Sequence, residues 1–106
     1  MHHFSTLFDR NYISRGLALY RSLTRCQANF RLHIVALDSV TSEALSTLEL
    51  ERANIVPIEV LEKWDLQLLE ERHNRSPGEF YFTCKLVFLR HLFDHLHFAT
   101  GIAYLD

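Results

Sequence analysis

Two acids stand where an alternating chain could do chemistry. Asp9 closes the apolar run from His3 to Phe8, and Asp106 closes the run IAYLD. An acid that ends a buried strand points into whatever crevice lies there. Two such carboxylates, or one with water and a diphosphate, suit a hard divalent ion such as Mg²⁺ or Mn²⁺. Asp9 also has a plainer use, capping the helix that follows it.

Lys85 is one of two lysines against nine arginines, and it sits in the most apolar stretch of the chain, one turn after Tyr81. Its ammonium either snorkels to water over a buried stem or meets a diphosphate or carboxylate. Phe8 and Tyr12 could stack on a nucleobase or simply fill the core. Asp38, at the end of a second strand, could accept from a base or ribose or stand as a loop acid. His91, Asp94, His95 and His97 are ligand types, with 91 and 95 on one helix face, but no complete metal set is evident. Cys84, on an apolar helix, reads as packing.

Three other chemistries are excluded by what is absent from the sequence. The first strand–helix turn has no G-x-G-x-x-G, only Gly16 inside the helix, and no Walker loop occurs. A receiver domain would need an aspartate ending its third strand, where this chain reads IEVLE. Cys26 and Cys84 fit no zinc spacing and read as two reduced thiols.

The elements that must position these residues follow from periodicity. The first strand runs from His3 to Phe8. Ile13, Gly16, Leu17, Leu19, Tyr20 and Leu23 then recur at helical spacing, with Asp9 or Asn11 able to cap and Arg21 and Arg25 in the last turn. Phe30 to Asp38 is a second strand, apolar enough to be buried on both faces near its end. Thr41 and Ser42 open a second helix with Leu45 and Leu48 inward.

ANIVPIEV is a third strand, expected to lie at a sheet edge or to carry a bulge because Pro57 cannot donate to a ladder. A short helix is predicted from Asp65, holding Leu66, Leu68 and Leu69. Ser76-Pro77-Gly78-Glu79 is a capping box with proline at the first helical position. The helix it opens is apolar almost all round and should be buried. Gly101 resets the chain for a last strand ending in YLD.

Strands alternating with helices argue for a parallel sheet. Such sheets bind ligands at the carboxyl ends of strands where the order reverses. With the order 3-2-1-4, the crevice lies between the first and fourth strands, with residues 8–12 on one side and Asp106 on the other.

Composition bounds the partners. At 106 residues the chain is one domain at most, and 48% hydrophobic with 23% charged residues suits a packed unit. A net charge of −2 without a basic block speaks against nucleic acid or an anionic membrane surface. No run reaches the ~18 apolar residues of a membrane span, and the start lacks the order of a signal peptide. A cytoplasmic location is expected.

FSTLFDRNYISRGLALYRSL, FRLHIVALD, EFYFTCKLVFLRHLF and AYLD, in this order, resemble the start of a GT-A nucleotide-sugar glycosyltransferase. The likeness is to glycogenin-like retaining enzymes and their bacterial relatives, and it covers nearly the whole chain. It implies a Rossmann-like α/β sheet with flanking helices. Thr6, Phe8, Asp9 and Tyr12 would surround uracil and ribose, although relatives often carry asparagine where Asp9 stands. Thr83-Cys84-Lys85-Leu86 resembles the family's T-x-K stretch, so Lys85 would neutralise charge on the donor. Asp106 matches the first acid of D-x-D, which holds ribose and a Mn²⁺ or Mg²⁺ bridging the diphosphate.

The implied reaction is transfer of a sugar from a nucleoside diphosphate, UDP foremost, to an acceptor hydroxyl. The resemblance ends at the first acid of D-x-D. Residues 1–106 are therefore expected to form the donor-binding half of such a domain, inactive alone. The alternative is a non-catalytic nucleotide-binding or protein-interaction half-domain, completed by self-association through an open sheet edge.

Overall fold

The computed structural model describes residues 2–26, 29–65, 70, 76–96 and 103–105. The alternating apolar runs form four parallel strands: β1 (His2–Phe8), β2 (Phe30–Ala36), β3 (Ala53–Pro57) and β4 (Ala103–Tyr104). Their order is β3-β2-β1-β4, with β3 at one edge, one of the two placements its proline allows. The register pairs His2 with Phe30 through Phe8 with Ala36, and Ser5 with Tyr104.

Helices cover both faces. On one, α1 (Ile13–Cys26) and α2 (Ser39–Thr47) close over Phe8, Phe30, Leu32 and Ile34. Ile13, Leu17, Tyr20 and Leu23 of α1 are the inward stripe, at the predicted spacing. On the other face, α3 (Ile58–Trp64) and α4 (Pro77–Leu96) pack Ile58, Leu61, Phe80, Cys84 and Phe88 against Val35 and Val56. Strand β2 is buried along most of its length because helices roof both faces; Phe30, Leu32 and Ile34 are apolar on one side, while the other carries Arg31 and His33 before Val35.

Four expectations change. The third strand stops at Pro57, and the chain is helical from Ile58 instead of running extended to Val60. The β-branched pair Ile58 and Val60 favours a strand locally. Burying Ile58 and Leu61 together on one side needs the three-residue spacing of a helix. The predicted helix residues Leu66, Leu68 and Leu69 lie outside the described residues.

Helix α2 begins at Ser39, capped by Asp38 and not by Thr41 or Ser42, and Leu48 lies past its last turn, 49% exposed. Helix α4 is buried on one side only. Phe80, Cys84, Phe88 and Leu92 recur every fourth residue inward, while Phe82 and Leu86 are 60% and 51% exposed.

The Ser76 cap forms as read, with Oγ accepting from Glu79 N at 3.3 Å, while the Glu79 carboxylate accepts from the Ser76 hydroxyl at 3.1 Å in place of the backbone N–H of a full capping box.

Candidate functional site

Strand β1 ends where the Phe8 carbonyl accepts from Leu37 N at 3.1 Å, so the ends of β1 and β2 are held level. Asp9 is extended, and its Oδ1 accepts from Asn11 N at 2.9 Å. That bond caps a single 3₁₀ turn, Arg10–Tyr12, which leads directly into α1. The N-cap use of Asp9 is therefore real. Its second oxygen, Oδ2, accepts from the Tyr81 hydroxyl of α4 at 3.3 Å. Burial raises the Tyr81 phenol above its ordinary range, and the Asp9 carboxylate it donates to raises it further.

Asp38 binds the neighbouring turn in the same manner. Oδ1 accepts from Thr41 N at 2.8 Å and caps α2, while Oδ2 accepts from Arg10 N at 3.1 Å. Partial burial alone would raise its pKa. The hydrogen bonds from Thr41 and Arg10, with the Arg10 charge, outweigh that and hold it below the ordinary carboxylate value. Both oxygens thus hold backbone amides, and Asp38 ties the two loops together.

The ends of β1 and β4, with α1 and α4 on either side, enclose a cavity of about 540 Å³. That is within the size range of small-molecule sites. Thr6, Phe8, Asp9, Tyr12 and Lys85 all line it, drawn together from opposite ends of the sequence. They are not equally available. Thr6 and Phe8 are 3% and 7% exposed and belong to the floor, whereas Tyr12 is 49% exposed at the rim. Lys85 reaches across to β4, where its Nζ lies 4.0 Å from the centre of the Tyr104 ring.

Three lining residues carry no sequence signal for this site. Tyr81 anchors Asp9. Gly16 is where α1 meets Phe8, since a Cβ there would run into the Phe8 ring. Arg15 stands over the Tyr12 ring, its Cζ 5.3 Å from the centroid. Arg15 is the third residue of α1, in the first turn of the helix that follows Asp9, which sets it at the β1 end of the sheet.

Asp106, expected to hold the metal, lies outside the described residues, as does His97. Among the described residues no group of three or more His, Cys, Asp or Glu side chains converges for a metal ion. His91 instead stacks on Trp64 of α3. Asp9, with both oxygens engaged, is one carboxylate and not a ligand set. The described part of the site thus offers cations, aromatic rings and one acid, which is chemistry for holding an anion attached to a flat or hydroxylated group.

The chain resembles two proteins of Bacillus subtilis (strain 168). It is 29% identical over 104 residues to the uncharacterized protein YfnD, a match covering 98% of this chain and 33% of that protein. It is 25% identical over 103 residues to the uncharacterized protein YfnF, covering 97% of this chain and 33% of that protein. The chain therefore spans about a third of the length of the curated relatives it matches. No protein-family model and no solved structure matches it. Among the described residues no helix is long and apolar enough to cross a membrane.

Proposed function

We propose that this chain binds the nucleoside diphosphate of a nucleotide sugar, UDP foremost, as the donor-binding part of a GT-A-like glycosyltransferase. The observation that carries the reading is the cavity at the β1–β4 end of the sheet. There the nucleoside residues inferred from resemblance, Thr6, Phe8, Asp9 and Tyr12, face the same space as Lys85. Tyr12 is exposed enough to stack on a base. Asp9 keeps lone pairs for a base N–H or ribose hydroxyl beyond the two donors it already serves. Lys85 supplies the charge for the diphosphate.

The acceptor, the sugar, a metal held in part by Asp106 and a cytoplasmic setting belong to the same proposal. The two free cysteines, Cys26 and Cys84, suit a reducing compartment. No catalytic step is assigned to the described residues.

The test is titration of UDP and of uridine into the chain, followed by amide NMR. Shifts confined to residues 6–16 and 81–85, together with weaker UDP binding for Lys85→Gln, are expected. UDP that shifts nothing in that region would end the reading.

A second reading has one observation in its favour. Phe82 and Leu86 form an exposed apolar pair on α4, beside β4 at the edge of the described sheet. A half-domain that completes itself with a second copy would bury them. Light scattering that finds a dimer, dissociated by Phe82→Ser, would favour it; a monomer at high concentration would remove it.

A further inference from the structure

The cavity carries two cations, and the resemblance assigns a role to only one of them. Lys85 comes from α4 and Arg15 from α1, the helices on opposite faces of the sheet. Each cation lies over a tyrosine ring, Lys85 Nζ at 4.0 Å from the Tyr104 centroid and Arg15 Cζ at 5.3 Å from that of Tyr12. Among the described residues neither forms an ion pair; the exposed pair Arg90–Asp94 lies further along α4 and includes neither of them. Among the described residues Asp9 is the one acid lining the space, and its charge is partly satisfied by the Asn11 amide and the Tyr81 hydroxyl. The described lining therefore sets two cations on separate walls against one acid. A ring face holds a guanidinium or ammonium in place while leaving its N–H groups free to donate.

We propose that Arg15 is a second anion-binding residue of this cavity, clamping the diphosphate from the α1 side while Lys85 holds it from the α4 side. The proposal rests on the donor-site reading above and adds a residue and a charge requirement to it. Two positive groups on opposite walls favour a ligand carrying at least two negative charges over a nucleoside or a monoanion. An arginine is suited to the task because its planar fork donates to two phosphate oxygens at once. It also supplies charge to the ligand without any metal.

The test is calorimetric titration of the 106-residue chain with UDP, uridine and inorganic diphosphate, at low salt and in the presence of EDTA. Arg15 is solvent-exposed, so Arg15→Gln should melt at the wild-type temperature, and Arg15→Lys keeps the charge without the fork. Arg15→Gln is expected to weaken UDP about tenfold, the scale of one charge-assisted hydrogen bond, and to leave uridine unchanged, with Arg15→Lys between.

Wild-type affinity of Arg15→Gln for UDP would overturn the Arg15 assignment and leave the donor site standing. Equal losses for UDP and uridine would also overturn it, since Arg15 would then act through the Tyr12 ring and not on the phosphates. Diphosphate bound in an Arg15-dependent manner, with neither UDP nor uridine bound, would keep Arg15 and sink the nucleoside reading. Binding of none of the three would end both.

Discussion

The Tyr81 hydroxyl donates to Asp9 Oδ2 at 3.3 Å, joining helix α4 to the turn that ends strand β1. This bond spans the cavity's two walls, and it fixes the direction of a carboxylate that also caps the turn leading into α1. It is a long bond, partly screened by solvent, so its contribution to stability is modest and its effect on the cavity is the larger one.

Tyr81→Phe is therefore expected to lower unfolding free energy by about 1 kcal/mol, the net worth of an ordinary hydrogen bond. Urea unfolding measures this. Asp9 keeps its bond to Asn11 N in the variant, so the turn should stay formed and its amide shifts should change little. A loss well above 2 kcal/mol would mean that the hydroxyl holds more than this one bond.

Gly16 permits the approach of α1 to Phe8. Alanine is the better helix former by about 1 kcal/mol, yet Gly16→Ala is expected to destabilise, because overpacking a core typically costs about 1–3 kcal/mol. The displaced ring would have to move within the space that Phe8 and Gly16 both line, so ligand binding should suffer as well. Phe8→Leu made together with Gly16→Ala should recover much of the stability, and a double-mutant cycle reads the coupling directly. Additive effects would contradict the contact.

A polar row runs across β1, β2 and β3, from half-buried His3 through buried His33 to exposed Asn54. The Asn54 amide nitrogen lies 3.1 Å from His33 Nδ1, and His33 Nε2 lies 3.1 Å from His3 Nδ1. With the amide nitrogen facing Nδ1, neutral His33 accepts from Asn54 and donates to His3. Burial first, then His3 and Arg31, push the His33 pKa down from 6.5 to about 4. The unfolded chain thus takes up a proton that the folded chain refuses.

It follows that stability is full above about pH 6.5 and falls as pH drops toward about 4, where His33 charges in the folded state too. The shift corresponds to a loss of roughly 3 kcal/mol across that window. His3, also lowered from 6.5 chiefly by burial, adds to the loss in the same window, while Asp38, held below its ordinary value, adds its own only at lower pH. Denaturant midpoints measured from pH 7 to 4 test the window. His33→Leu should flatten it, whatever it does to stability at pH 7, and an unchanged slope would exclude His33 as its source.

Much of the fold is legible without coordinates. The inward stripe of α1, the apolar end of the second strand, the Ser76 cap and the edge or bulge that Pro57 demands are local patterns, each set by residues within a turn or a strand of one another. Sequence pattern and structure part where local preference and tertiary burial disagree. Ile58 and Val60 suggest a strand, and packing of Ile58 with Leu61 makes them helical. Phe82 and Leu86 read as core by composition, but the stripe at 80, 84, 88 and 92 takes the buried side.

The site divides along the same line. Alternating strand and helix patterns placed Asp9 at the end of β1 and Lys85 on a later helix, because backbone geometry and periodicity are properties of short segments. What sits opposite what is a matter of register and crossing. Tyr81 meeting Asp9, Arg15 and Lys85 on opposing walls, Phe8 against Gly16, and the His3–His33–Asn54 row all join residues distant in sequence. A strand shifted by one residue would turn every one of its side chains to the other face and dissolve each of these contacts while leaving the local pattern unchanged. Only the packed sheet, with both faces covered, selects one register and so decides them.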